Sequence, residues 1–264
     1  MSDAFDPWSV LTPAQAEVAR RWLAERERDR RHLVIYLSGA HAYGFPSPDS
    51  DLDLKCVHIA PTAELVGLSP PDDPPDRIEI VDGVELDYGS NELAGVLRGA
   101  LKGNGNYLER LLGDLVLGGD RALLEEARAV VRPLLSRRSA RHYGGFATSQ
   151  LRAFDEKPSA KRALYVLRTA ATGRHLLAHG EIVTDVARLQ PFLPAELPEL
   201  LEMKRRGERQ ELPAERAAAW RGLLTAAIAA VDASVAASVL PPEPPEPAAR
   251  ALEAWLRDVR RRCW

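Results

Sequence analysis

Leu37-Ser38-Gly39-Ala40-His41-Ala42-Tyr43-Gly44-Phe45-Pro46-Ser47-Pro48-Asp49-Ser50-Asp51-Leu52-Asp53-Leu54 is the stretch on which the reading of this chain turns. Just before it, His32–Leu37 is a short run rich in β-branched residues that reads as a buried strand. Gly39 to Ser50 reads as a loop rich in Gly, Pro and Ser. A second strand is predicted over Asp51–Ile59, with Leu52, Leu54 and Cys56 on one face and Asp51, Asp53 and Lys55 on the other. The two aspartates of this Asp-x-Asp then share a face, about 7 Å apart along the chain at ~3.4 Å per residue. Two like charges held that closely repel unless a cation sits between them. Carboxylate oxygens on a rigid strand suit Mg²⁺, which takes one or two carboxylates together with phosphate oxygens. A glycine turn upstream offers backbone N–H groups that can close on a phosphate. Metal, phosphate cradle and shared strand face together point to phosphoryl or nucleotidyl transfer.

Working outward, Arg77–Val81 and Val84–Tyr88 flank Asp82-Gly83, a strong hairpin signal. Val84, Leu86 and Tyr88 share one face of the hairpin, Glu85 and Asp87 the other. Asp87 thus has the same relation to its core face as Asp51 and Asp53, and neighbouring strands would bring three carboxylates onto one surface. Ser69–Asp76 is too rich in proline to join a central strand. Upstream, residues 14–31 read as a helix, with Pro13 suited to its first turn. From Asn91 a helical period takes over, broken at Gly103-Asn104-Gly105-Asn106 before a second helix through Leu112. After about residue 115 no strand signal is seen. Helices are expected near 120–131, 138–154, 159–179, 196–207, 214–239 and 248–262. Pro241–Pro247 reads as a stiff connector. The expected organisation is α+β: a mixed part over 1–115, a helical part over 116–240, and a connector with a last helix over 241–264.

Composition narrows the class. The chain has 264 residues, 45% of them hydrophobic and 28% charged, enough for a real core. No window approaches 18 uninterrupted apolar residues, so no membrane span is expected. Met1 to Trp8 carries Asp3 and Asp6 and lacks the apolar stretch of a signal peptide. Cys56 and Cys263 are too few for a disulfide framework, and a reducing cytoplasm is the expected setting. A net charge of −3 argues against a strong non-specific duplex-DNA binder. Only five of the 35 basic residues are lysines, so the position of particular cations matters more than their total. His175 and His179 stand four apart but lack the Glu-x-x-His context of a metal helix; with His142 they read as structural. Arg260 to Trp264 reads as a mobile helix end.

The Gly39–Asp53 segment resembles the signature of the DNA polymerase β-type nucleotidyltransferase superfamily, a Gly-Ser or Gly-Gly-Ser, a spacer and an Asp-x-Asp. The longer string Gly-x-x-Ala-Tyr-Gly…Pro-Asp-Ser-Asp-x-Asp-Leu, with Gly103-Asn104 and Glu109 downstream, is similar to the RNA-repair-pathway (RNA ligase-associated) family within it. Lys161-Arg162-Ala163-Leu164-Tyr165-Val166-Leu167-Arg168, followed by Gly180-Glu181-Ile182, resembles that family's C-terminal block. The resemblance spans residues 33–190 and implies a small mixed sheet with helices on one face, followed by an all-helical half. It implies that the part over 1–115 is catalytic and that the part over 116–240 binds nucleotide and acceptor.

The resemblance implies that Asp51, Asp53 and Asp87 are the catalytic carboxylates and hold two Mg²⁺ or Mn²⁺ ions. Glu85 is the alternative third carboxylate. It further implies that Gly39 and Ala40 offer amides to the phosphates of an NTP, ATP favoured, and that Lys161 and Arg168 contact the triphosphate. Lys161 and Arg168 lie seven apart, two helical turns, on the same side of one predicted helix. Tyr43 either stacks on a base or anchors the loop; Asn104 either caps a helix or serves the site; Glu109 either braces that turn or lies near the metals. Ala40 stands where the family has serine, and His41 where arginine is common. Either Ser38, Ser47, Ser50 or His41 takes over the phosphate contact of the lost hydroxyl, or nucleotide binding is weaker. The implied acceptor is an RNA 3′ end, tRNA-like; a protein side chain or small molecule is the competing acceptor, and a nucleotide-binding pseudoenzyme the competing class. Neither a membrane nor a stable protein partner is implied.

Overall fold

Thr12 opens the first long helix with a capping box: its side chain accepts from Gln15 N–H while the Gln15 side chain takes the Thr12 N–H. Helix α1 runs from Pro13 to Arg26, with proline at a position whose N–H is orphaned anyway. It stops short of the expected residue 31. The computed structural model describes residues 5–28, 30–207 and 211–264, so Met1 to Ala4 of the leader reading and Asp29 of the helix reading lie outside the described residues.

Strand β1, His32–Leu37, forms where the sequence predicts it, buried at every position. A short helix, α2 (Gly39–Tyr43), occupies the start of what reads as loop. Then come β2 (Leu52–His58), α3 (Thr62–Leu65), and the hairpin of β3 (Arg77–Val81) and β4 (Val84–Glu92). Asp82 takes a positive φ of 49° beside Gly83, as an Asp-Gly turn requires. Helices α4 (Leu93–Leu101) and α5 (Gly105–Leu112) follow.

One further strand was not legible: β5, Val116–Gly118, pairs antiparallel with the edge of β1. Three residues between helices are too few for a period, and tertiary pairing with β1 makes them a strand. The sheet order is β3-β4-β2-β1-β5, with β2 and β4 parallel and the other neighbours antiparallel.

Helices flank both faces of this sheet, which corrects the expected one-sided arrangement. Trp22 of α1 packs edge-on against Tyr88, ring centroids 5.1 Å apart, and donates to Glu79 on the same face. On the opposite face α5 closes over Tyr36 at Gly113, and Arg110 donates to Asn91. Helix α1 thus covers β4 from one side and α5 covers β1 and β2 from the other, while Asp53, Lys55 and Asp87 stay only partly buried.

The remaining chain is helical: α6 (Arg121–Val131), α7 (Ser139–Glu156), α8 (Ala160–His179), α9 (Leu197–Arg205), α10 (Ala214–Ser234) and α11 (Glu246–Arg262). Helices α7, α8 and α10 pack on one another around Phe154, Leu164 and Trp220, and this layer is continuous with the core of the sheet. The tail is not loose. Arg260 pairs with Glu92, Arg262 with Glu126, and the Thr62 N–H donates to the Cys263 carbonyl. No helix among the described residues is long and apolar enough to cross a membrane.

One buried histidine, His32, and one half-buried histidine, His142, make the fold acid-sensitive. His32 is bonded to the Tyr88 hydroxyl at 2.8 Å, and burial lowers its pKa from 6.5 to about 4. Burial does the same to His142, again to about 4. Between pH 4 and 6.5 the unfolded chain therefore binds protons that the folded chain refuses, so stability rises with pH across that window and is complete above it. Urea unfolding should show a loss of roughly 2 kcal/mol or more from pH 7 to pH 5, and His32→Gln/His142→Gln should flatten most of it. An unchanged slope in the double variant would exclude these two groups as the cause.

Candidate functional site

Parallel pairing of β2 with β4 sets Asp53 beside Asp87 as direct partners across the ladder. Leu52 and Leu86, one residue earlier on each strand, are fully buried on the opposite face. Asp51, immediately before β2, continues the Asp53 alternation. Glu85 stands one pair ahead of Asp87, at the level of Asp51, and is exposed at the rim. The three-carboxylate surface is therefore built by register: a one-residue slip would carry the aspartates into the core and the leucines out.

Gly39 sits directly against this surface. Its φ is +66°, and a Cβ there would fall 1.7 Å from Asp53 Oδ2, so no side chain is tolerated. The neighbouring Ser38 N–H donates to the Asp53 carbonyl at 2.8 Å, locking the turn to β2. Ser38 makes no side-chain cap on α2; its hydroxyl is instead hydrogen-bonded to the Tyr43 hydroxyl at 3.2 Å. Ala40 is buried under the turn.

The electrostatics of the carboxylates differ. Burial first, then the charges of Asp51 and Asp87, pushes Asp53 up to about 7, against the smaller opposing pull of Lys55 and Lys161. Asp87 already has a cation: Lys55 Nζ donates to its Oδ1 at 2.7 Å, with Asp76 3.8 Å away on the other side. Among the described residues, no three His, Cys, Asp or Glu side chains stand close enough together to hold an ion as the chain is folded here. The donor chemistry nonetheless fits a divalent cation. An all-oxygen set on a rigid strand suits Mg²⁺ or Mn²⁺, and Asp53 is crowded by negative charge.

A cleft of about 620 Å³ opens beside these residues. Asp49, Asp51 and Glu85 line one wall; Lys157, Ser159, Lys161 and Arg162, from the turn into α8, line the other. Ser159 caps α8 by accepting from the Arg162 N–H. A cleft of about 740 Å³ lies at the far end of the strands, around His58, Arg30 and Trp264, away from the paired aspartates.

Several expected site residues are placed elsewhere. Arg168 does not reach the cleft: it is 2% exposed, ion-paired to Glu109 at 2.9 Å, and its guanidinium lies 3.7 Å from the centre of the Tyr43 ring. Glu109 accepts as well from the Tyr143 hydroxyl at 3.3 Å. Tyr43 is buried among Phe45 and Tyr165, with Arg168 on its face, so its ring is engaged in the core. Asn104 caps α5, accepting from the Asn106 N–H at 3.0 Å. His41 lines a separate cleft with Leu115, Ile182 and Arg188. Ser47 and Ser50 are buried and accept from Lys204. His175 and His179 pack their rings on each other and on Phe192.

Two contributors escaped the sequence reading. Lys55 was visible on the aspartate face, but its bond to Asp87 depends on a neighbour 32 residues away. Lys204 carried no local signal, since its partners lie more than 150 residues upstream.

Residues 16–258 match the profile of a family described as the RNA repair pathway DNA polymerase beta family. The chain is 29% identical over 193 residues to YcgL, an uncharacterized protein of Bacillus subtilis, covering 69% of this chain and 73% of that one. It is also 29% identical over 156 residues to MJ0002, an uncharacterized protein of Methanocaldococcus jannaschii, covering 58% of this chain and 63% of that one. The crystal structure of a nucleotidyltransferase-like protein from Exiguobacterium sibiricum aligns at a TM-score of 0.33 with 9% identity, over 93% of this chain and 79% of that chain.

The Glu109–Arg168 pair joins the two halves of the molecule, and removing one partner strands a buried charge. Arg168→Met should lower the unfolding free energy by about 3–5 kcal/mol, with part of the loss recovered on adding Glu109→Gln. Denaturant titration of the two variants checks this; a single-variant loss under about 1 kcal/mol would mean the pair is solvated in solution.

Proposed function

Since this chain belongs to the RNA repair pathway DNA polymerase beta family, we propose that it transfers a nucleoside monophosphate from an NTP, ATP favoured, to a hydroxyl acceptor and releases pyrophosphate. The RNA repair context of the family points to an RNA 3′ end, tRNA-like, as the acceptor. The observation that carries the reading is Asp53 set beside Asp87 in strand register, with Gly39 closing on the Asp53 carboxylate.

Asp51, Asp53 and Asp87 are the residues that would hold Mg²⁺ or Mn²⁺. Such ions stabilise charge on the phosphates and lower the pKa of an attacking hydroxyl. Lys161, on the wall opposite Asp51, supplies a fixed positive charge for the triphosphate, and Lys157 and Arg162 flank it. The Gly39 turn brings the first amides of α2, which lack a side-chain cap, to the phosphate side of the site. In the transfer, the acceptor oxygen bonds to the α-phosphorus as the bond to the bridging oxygen breaks. The departing pair of electrons leaves with pyrophosphate, and the acceptor proton passes to the Asp87 side of the site. Lys55, bonded to Asp87, must loosen its hold when that carboxylate is engaged; Asp76 is the neighbour able to receive it.

A second reading, nucleotide binding without transfer, is favoured by Ala40 in place of the family's serine and by the engagement of Asp87 with Lys55.

Pyrophosphate release measured with each NTP, with and without Mg²⁺ or Mn²⁺ and RNA, separates the readings. Asp51→Asn, Asp53→Asn and Asp87→Asn should each reduce release by about 100-fold or more, ~2.7 kcal/mol of transition-state stabilisation, while the variants stay folded and Asp53→Asn gains in unfolding midpoint. Near-normal turnover in any one removes that residue from the site. Label from an α-labelled NTP should appear on RNA; its appearance on polypeptide would move the acceptor to a protein side chain. Calorimetric NTP binding without release would establish the binding-only reading.

A further inference from the structure

Lys204, in the last turn of α9, is 1% exposed. Its ammonium donates to Ser47 Oγ at 2.5 Å and to Ser50 Oγ at 3.2 Å. The two serines are themselves bound into one turn. Ser50 N–H donates to the Ser47 carbonyl at 3.0 Å, Ser47 N–H donates to Ser50 Oγ at 2.9 Å, and the two hydroxyls are 3.0 Å apart. The residue after Ser50 is Asp51, and the loop from Gly44 to Ser50 is the covalent route from the glycine turn to the carboxylate strand.

Burying an ammonium is expensive in itself, and such groups are retained where they select one conformation over its competitors. Pro46, Pro48 and the Ser47–Ser50 hydrogen bonds shape this loop locally, and Lys204 is what fixes that turn to the helical layer. The clamp also comes from a particular place. Helix α9 packs on α8, and α8 carries Lys161 into the cleft opposite Asp51. One cation therefore ties the loop bearing the carboxylates to the helix layer bearing the phosphate-facing lysine.

We propose that Lys204 is a positioning residue, whose ammonium clamps the Ser47–Ser50 turn so that Asp51 is held opposite Lys161 for nucleotide binding. This rests on the nucleotidyltransferase reading above and assigns one of its fixed distances to a single buried side chain. It also explains why the Ser47 and Ser50 hydroxyls do not face the cleft.

The test compares Lys204→Met with the triple variant Lys204→Met/Ser47→Ala/Ser50→Ala, which replaces the ammonium and both hydroxyls together by apolar groups and so recovers folding stability. The expected result is a KM for the NTP raised by about tenfold or more in both, including the triple variant whose unfolding midpoint matches wild type. If the triple variant regains both midpoint and KM, Lys204 only stabilises the fold and the proposal is overturned. Amide hydrogen exchange across residues 45–53 gives a second readout that needs no turnover. Exchange about tenfold faster than wild type is expected in the triple variant, and unchanged exchange overturns the proposal. If wild type releases no pyrophosphate, the nucleotidyltransferase reading fails, while the exchange comparison still decides whether Lys204 holds the loop. Should both lysine variants fail to fold, Ser47→Ala/Ser50→Ala severs the clamp from the loop side and carries the same readouts.

Discussion

The buried guanidinium of Arg168 is the interaction around which the two halves of the molecule are organised. Its ion pair with Glu109, 2.9 Å long, connects α8 of the helical layer to α5 on the sheet. The Tyr43 ring lies 3.7 Å beneath it and the Tyr143 hydroxyl bonds to the same carboxylate, so α2 and α7 converge on one point. A charge removed from water is tolerable only when it is paired, and here the Glu109 carboxylate and the Tyr43 ring take that part while the guanidinium Nε is left without a hydrogen bond. Once α8 is docked there, the position of Lys161 two turns earlier follows from helix geometry. The side chain that reaches the cleft and the one that anchors the helix are thus parts of one rigid element.

The opposite situation prevails at the carboxylates. Where Arg168 is paired with a carboxylate, Asp53 is desolvated and crowded by Asp51 and Asp87, and it is pushed up to about 7. Burial with like charges opposes folding, which makes the site a place where the fold gives up stability. The parallel register and the glycine turn hold that arrangement against its own repulsion. Lys55 relieves part of it at Asp87, and Lys204 fixes the loop that delivers Asp51. Cations on β2, α8 and α9 therefore surround a set of anions, each at a different depth.

Much of this was legible in the order of residues. The hydrophobic run of β1, the alternation of β2 and the Asp-Gly hairpin are local signals and formed where read. The second hairpin strand nevertheless runs on to Glu92, past the Asn91 at which a helix was expected, because it stays paired with β2. The helical half was legible for the same reason, since periodicity acts within a few residues. Val116–Gly118 was not, because a three-residue strand carries no period and exists only by pairing with β1. The placement of helices on both faces escaped as well: an amphipathic stripe states that a helix has an apolar side and not which sheet face receives it.

By itself, the sequence determined which residues share a strand face, where the chain must turn, and that Asp51 and Asp53 follow a glycine turn on one strand face. Those are consequences of alternation and of backbone freedom at single residues, and they need no distant partner. Only the tertiary structure decided that Asp53 stands beside Asp87, that Lys161 faces the cleft while Arg168 is sealed inside, and that Ser47 and Ser50 turn toward Lys204. Each of these is settled by a contact across more than 30 residues. Such contacts are chosen by burial and charge pairing over the whole core, and a one-dimensional pattern carries no record of that choice.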